Sequence, residues 1–186
     1  MSDTDQSATG NDDLLDERWA LLWATRISSR YHMRRQAFFE RWARVTSATG
    51  VIFGSTAVTA ALSAAHVPVW LLAITGGLVS VASVVDLVVG TAAMARKHDD
   101  LRKKFLSLES DISLHREPKE DDIKRWTSTR LTLETDEPPI YFALALLCEN
   151  ELGRATEGIG ERIKLSLLKR LTAHWWRWEN TGGQLI

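Results

Sequence analysis

Charge is missing from a long internal stretch of this chain, although 25% of its 186 residues are charged. From Val45 through Val85 there is no Asp, Glu, Lys or Arg; Asp86 ends that run, and the apolar pattern then resumes to Ala95. A helix rises about 1.5 Å per residue and the hydrocarbon layer of a bilayer is about 30 Å thick, so one crossing takes roughly 20 residues. The stretch is therefore too long for one crossing and suits two.

Several other features are also scarce or missing. Cys148 is the single cysteine, so no intramolecular disulfide can form. The net charge of −1 argues against nucleic acid as a partner, because phosphate binding needs a basic surface. The five histidines show no metal-ligand spacing, and no phosphate-binding glycine loop occurs. We therefore expect no enzyme, no cofactor and no metal site.

The break between the two crossings falls at residues 65–68, where the sequence reads Ala-His-Val-Pro. We predict a transmembrane helical hairpin over residues 45–95, with its first helix near Val45–Ala64 and its second near Val69–Ala95. The fold class expected is all-α. Long helices should extend from the two-helix membrane hairpin into a cytoplasmic helical bundle.

Basic residues predict the orientation of the hairpin. Six arginines lie between Arg26 and Arg44, just before the first helix, and five Lys and Arg residues lie between Arg96 and Lys104, just after the second; the turn has none. The positive-inside rule places both termini in the cytoplasm, so the chain should be a multi-pass protein. The first 44 residues are polar and charged rather than a signal peptide, so the first crossing should serve as the insertion signal. Trp42 and Trp70 suit either interfacial anchoring or ordinary packing.

The flanking segments divide into further regions. Residues 1–12 should be disordered and residues 13–44 should form a cytoplasmic helix that begins at Asp12 or Asp13 and leads into the membrane. Residues 96–178 should form the cytoplasmic helical region, and residues 179–186 a loose tail. The apolar residues at 101, 105, 108 and 112 predict a coiled-coil-like seam.

Three more helices are expected in the cytoplasmic region. Lys119–Thr135 carries a thin apolar face, and Asp136-Glu137-Pro138-Pro139 is a helix-start signal. A last helix over about Glu161–Trp178 has apolar residues on one side and basic residues mostly on the other. Its apolar face either packs on the other cytoplasmic helices, which we favour, or lies on the membrane surface.

Asp86 is the residue that most invites a functional interpretation. An ionised carboxylate inside a bilayer costs at least a few kcal/mol, so such residues often line water or a partner. In a helix that runs to Ala95, Asp86 would lie about two thirds of the way along, and it is our candidate pore or gating residue. The alternative is an interfacial carboxyl group that is protonated or reaches water near the headgroups.

Small residues recur in both crossings and allow close helix approach in lipid. We expect them to make helix–helix contacts, within the hairpin or between subunits. The candidate contact residues are Gly50, Gly54, Gly76, Ser80, Ser83 and Gly90.

The order of these features resembles the SLATT family of two-transmembrane domains from bacterial conflict systems. The matching elements are an Arg-rich helix with Arg30, Tyr31 and Arg34-Arg35, the hairpin, a basic helix, Glu137-Pro138-Pro139-Ile140-Tyr141, and Cys148-Glu149-Asn150-Glu151. The resemblance covers roughly residues 15–171 and supplies no catalytic residue.

The resemblance implies an effector of the bacterial inner membrane that acts in antiphage defence or programmed cell death. Such a protein would form a homo-oligomer in the lipid bilayer, permeabilise it, and respond to a nucleotide-signalling or sensor protein encoded nearby. The alternative is a non-conducting membrane adaptor or regulatory scaffold that recruits a cytosolic partner.

Overall fold

The computed structural model describes residues 3–55, 60, 62, 64, 65, 67–157 and 165–178, and this part of the chain contains helices but no strand. The all-α prediction is therefore confirmed for these residues. The chain divides into two compact units, one formed by Met1–Arg34 with Asp99–Ile186 and the other by Arg35–His98. The helices in the described part are α1 (Asp3–Gly54), α2 (Val69–Val89), α3 (Thr91–Leu114), α4 (Glu120–Thr135), α5 (Phe142–Glu157) and α6 (Leu167–Leu171).

Helix α1 starts earlier than the sequence predicted. It begins at Asp3 rather than at Asp12 or Asp13, so the segment 3–12, which we expected to be disordered, is helical. The helix then continues past residue 45 to Gly54, so the expected long helix does lead into the apolar stretch.

The predicted seam of α3 forms the centre of the first unit. Leu101, Phe105, Leu108 and Ile112 are all buried, and the last three share a core with Leu21 and Leu22 of α1. The spacing of four, three and four residues keeps these side chains on one face of the helix. Arg18 donates a hydrogen bond from Nε to the carbonyl oxygen of Ile112 at 3.1 Å, which satisfies an acceptor in the last turn of α3.

Helix α4 buries the thin apolar face that its sequence predicted. Ile123, Trp126 and Leu133 are buried and belong to the core that α1 and α3 form. The indole Nε1 of Trp126 donates a hydrogen bond to Asp111 Oδ2 at 2.8 Å, so the buried ring keeps a partner for its one polar group.

A second core of the same unit lies around α5. Tyr31 of α1 packs with Ala143, Leu144 and Cys148 of α5 and with Ala173 near the C-terminus. Burial raises the pKa of the Cys148 thiol to about 12, while the positive charge of Arg34 acts in the opposite direction. Cys148 is therefore a packed, protonated thiol that behaves as a small hydrophobic residue.

The helix-start signal at residues 136–139 did not produce a helix start there. Helix α5 begins at Phe142, and the segment before it is non-helical. The Glu137 carboxylate, expected near a helix N-terminus, instead lies 3.0 Å from His32 Nε2, in a pair that is almost fully buried. The backbone N–H of Tyr141 donates to the hydroxyl of Tyr31 at 3.1 Å. Long-range contacts with α1 thus decide the conformation of this segment.

The last predicted helix is much shorter than expected. Helix α6 has five residues, and residues 161–164 of the predicted helix lie outside the described part of the chain. After Leu171 the chain turns, and Ala173 and Trp178 join the core around α5. The prediction that the apolar face of this segment packs on the other helices is wrong for four of its residues, which are exposed: Leu167, Leu168, Leu171 and Trp175.

In the second unit, the aromatic ring of Phe39 on α1 stacks on the imidazole of His98 on α3. The ring centroids are 5.6 Å apart and the planes are 13° from parallel. Both side chains are buried, and the guanidinium of Arg35 lies 4.6 Å from the Phe39 ring centroid. These aromatic and cation–π contacts join α1 to the start of α3 within this unit.

Candidate membrane-spanning site

Helix α2 exposes an apolar surface along its whole length. It has 21 residues, which span about 32 Å at the usual helical rise, and none of its side chains is buried. Val69, Leu78 and Leu87 are 80%, 67% and 84% exposed. By length and composition α2 is the one described helix that could cross a membrane. A contiguous apolar surface of this size marks a membrane or protein contact in a stable protein.

The first predicted crossing is described only in part. Residues 45–54 continue α1, and Val45, Val51 and Ile52 are exposed apolar side chains. Residues 56–59, 61 and 63 of that crossing, and His66 of the turn, lie outside the described residues. Pro68 precedes α2 as expected, and its carbonyl oxygen accepts hydrogen bonds from the N–H groups of Leu71 and Leu72. The start predicted for the second helix, Val69, agrees with the structure.

The second predicted helix is interrupted, which changes the position of Asp86. Gly90 adopts a left-handed conformation with φ 63° and ψ 50°, and this residue separates α2 from α3. The prediction of an unbroken helix from Val69 to Ala95 was therefore wrong. Only glycine takes this conformation without a steric cost, and the apolar periodicity on both sides gave no sign of the break.

Asp86 consequently lies near the end of its helix rather than two thirds of the way along. It is three residues from Val89, or about 4.5 Å of helical rise. Its side chain is half-buried, and its Oδ1 accepts a hydrogen bond from the Thr91 hydroxyl across the break. Its main-chain carbonyl accepts the N–H of Gly90 at 2.9 Å. The carboxylate therefore takes part in a local structure that joins the two helices.

Thr91 is the residue of this site that sequence reasoning missed. It is the first residue of α3 and is 3% exposed. The sequence did contain a signal for it: a residue with a hydroxyl group stands five positions after Asp86 and directly follows a glycine. A short polar side chain in that place can hydrogen-bond across a helix terminus, as in other local capping contacts.

The small residues proposed as contacts lie on an open surface of the chain. A Cβ built on Gly50 or Gly76 would meet no described atom within 4 Å. Ser80 and Ser83 are exposed, and each hydroxyl donates to a carbonyl of its own helix, at 2.8 and 2.9 Å. The surroundings of Gly54 lie outside the described part. Close packing at these glycines within the described chain is absent, and contact with a second copy stays a prediction.

Gly90 has a conformational role rather than a packing one in this chain. A Cβ at this position would lie 3.9 Å from the Cβ of Ala93, an ordinary contact distance. Space alone would therefore admit a side chain, and the positive φ is what favours glycine.

The site offers hydrogen bonding and apolar surface. No group of three or more His, Cys, Asp or Glu side chains in the described residues could hold a metal ion. The arrangement can place α2 in an apolar medium and keep the polar Asp86–Thr91 pair close to one end of the helix. Such a position allows a carboxylate to reach interfacial water at lower cost than at the centre of a bilayer.

Comparison of the chain with family models, with curated proteins and with solved structures found no match.

Proposed function

We propose that this protein is an effector of the bacterial inner membrane that spans the bilayer twice, with both termini in the cytoplasm. The observation that carries the proposal is the exposure of the apolar side chains along α2, which has the length of one crossing. The uncharged continuation of α1 beyond residue 45 supports a second crossing. Basic residues on both cytoplasmic flanks support the orientation.

Oligomers of this protein would permeabilise the membrane in antiphage defence or programmed cell death. Two helices cannot enclose a channel, so a pore requires several copies of the chain. The open small-residue surface at Gly76, Ser80 and Ser83 is available for contact between copies in lipid. A signal or a partner protein at the cytoplasmic helices would favour the open assembly by binding it more tightly than the closed one.

Dye release from liposomes tests this activity. Full-length protein is reconstituted into vesicles filled with carboxyfluorescein, and its oligomeric state is measured by crosslinking in the same vesicles. We expect dye release to rise together with the oligomer. With the activating signal or partner protein supplied, a stable oligomer that releases no dye would exclude the pore and favour the adaptor described next.

A non-conducting membrane adaptor is the second candidate, and one observation favours it. The Asp86 carboxylate is engaged with Thr91 close to the end of α2, where a structural role is sufficient to explain it. In that case the bilayer anchors the chain, and the cytoplasmic helices recruit a cytosolic partner.

Substitutions at Asp86 and Thr91 separate the two candidates. If the Asp86 charge controls conduction, Asp86→Leu and Asp86→Asn should both abolish toxicity on overexpression, while Thr91→Val should retain it. Membrane insertion should be unchanged in all three, as measured by alkaline extraction. Unchanged toxicity of Asp86→Leu would remove any functional role for this carboxylate in killing.

A further inference from the structure

A cleft of about 440 Å³ opens on the unit formed by Met1–Arg34 and Asp99–Ile186. Helices α1, α3 and α5 contribute its walls. Three guanidinium groups line it, from Arg26, Arg30 and Arg102, against one carboxylate, from Glu109. The cleft therefore carries an excess of positive charge, and its volume falls within the usual range of small-ligand sites.

Contacts with the protein leave most of this positive charge available. Arg26 donates from Nε to Glu109 Oε1 at 2.9 Å, and this pair neutralises the one acidic side chain of the cleft. Arg102 Nη1 lies 3.7 Å from Asp99 Oδ1, which is beyond hydrogen-bond distance. Arg30 has neither a hydrogen bond nor an ion pair with any described residue. Each guanidinium has five N–H donors, so Arg30 and Arg102 can bind a further anion.

The hydroxyl groups of the cleft are already in use. Ser29 donates from Oγ to the carbonyl oxygen of Arg26 at 3.1 Å, and Thr156 donates from Oγ1 to that of Leu152 at 2.7 Å. Their protons are therefore not free for a ligand. A bound molecule would therefore receive its hydrogen bonds from the arginines. Their planar guanidinium groups can donate two parallel hydrogen bonds to phosphate oxygens.

We propose that this cleft binds a small organic phosphate. The phosphate would lie on the guanidiniums of Arg30 and Arg102, and the organic part against the apolar wall formed by Met33, Leu106 and Leu152. Two guanidiniums match the charge of a phosphate monoester, although Arg102 also lies 3.7 Å from the Asp99 carboxylate. The wall with three apolar side chains adds surface that inorganic phosphate cannot use. Binding here is independent of any membrane activity.

Phenyl phosphate is a suitable probe because it combines a phosphate with a small apolar group. Its binding to full-length protein in detergent micelles is measured by isothermal titration calorimetry, alongside inorganic phosphate and phenol. We expect phenyl phosphate to bind tightest, inorganic phosphate more weakly and phenol not at all. Replacing Arg30 and Arg102 together by Gln should weaken binding by at least about tenfold, the usual effect of losing charge-assisted hydrogen bonds.

Arg116→Gln is the control for loss of a guanidinium outside the cleft: it removes one positive charge from an exposed residue, against two in the double variant. Its affinity for phenyl phosphate should equal that of the unaltered protein. Arg30→Lys keeps the charge but loses the planar group and should give an intermediate affinity. Far-UV circular dichroism of each variant checks that the helices remain.

Four outcomes would overturn the proposal. Three of them are the absence of saturable phenyl phosphate binding, equal affinity in the double Gln variant and the Arg116→Gln control, and binding of phenol as tight as that of phenyl phosphate. Equal affinity for inorganic and phenyl phosphate would also overturn it, because the apolar wall would then contribute nothing.

Discussion

The buried pair of His32 and Glu137 should be one of the most sensitive points of the first unit. The imidazole is 0% and the carboxylate 6% exposed, their nearest atoms are 3.0 Å apart, and 105 residues separate them along the chain. The His32 ring also stacks on Phe105, with centroids 5.5 Å apart and planes 17° from parallel. Glu137→Ala would remove the carboxylate that faces His32 Nε2, while packing keeps the imidazole in the core.

We expect Glu137→Ala to lower the free energy of unfolding by about 2 kcal/mol, because a buried polar group left without its hydrogen-bond partner typically costs about 1–3 kcal/mol. That is a large part of the roughly 5–15 kcal/mol that stabilises a domain. Glu137→Gln keeps a side-chain oxygen that can accept a hydrogen bond and should cost less. The free energies of unfolding are measured by titrating full-length protein in detergent with guanidinium chloride. Tryptophan fluorescence and far-UV circular dichroism monitor the unfolding.

Glu120→Ala is the control for loss of a carboxylate. Glu120 pairs with Lys124 at 2.6 Å, but both side chains are well exposed, so the unfolding midpoint should not change. If Glu137→Ala unfolds at the same denaturant concentration as Glu120→Ala, the pair does not stabilise the segment that precedes α5.

Three further predictions concern single residues. Gly90→Ala should lower the free energy of unfolding by about 1–2 kcal/mol, the usual cost of a left-handed conformation for other residues. Gly76→Ala is its control in thermal unfolding, and it should be neutral or stabilising unless a second copy packs there. Cys148 should resist iodoacetamide at pH 8 and react at the rate of unfolding, as mass spectrometry would show. Because folding raises the pKa of Cys148 from its usual 9.0 to about 12, the folded state retains a proton that the unfolded chain loses, so stability should fall above pH 9 and less so in Cys148→Ala.

Local periodicity predicted the parts of the fold in which one apolar face decides the structure. The seam on α3 and the face of α4 are examples, because spacings of three and four residues place their side chains together whatever the distant chain does. The buried face of α1 was harder to predict from the sequence. It includes Thr25, which is fully buried and donates to the carbonyl oxygen of Leu21 at 2.7 Å, and such polar core residues leave no apolar signal.

The missed features depend on contacts that sequence spacing does not reveal. Glu137 resembled a helix-start residue but pairs with His32 on a distant helix. The break at Gly90 interrupts an apolar pattern that continues on both sides, and it moves Asp86 close to the end of α2. The exposed apolar residues from Leu167 to Trp176 could not be separated from a packed face by composition alone.

The membrane hairpin with cytoplasmic termini is the central claim, and labelling of introduced cysteines tests it most directly. Cys148 is buried and protonated, so it contributes little background. Ala65→Cys places a thiol in the exposed turn and Ser110→Cys places one on the exposed side of α3. Intact spheroplasts that express either full-length variant are treated with a membrane-impermeant maleimide.

The hairpin predicts that Ala65→Cys is labelled in intact spheroplasts and that Ser110→Cys is labelled only after lysis. Labelling of both thiols only after lysis, or of both before it, would contradict a hairpin whose turn faces outward and whose flanking helices lie in the cytoplasm.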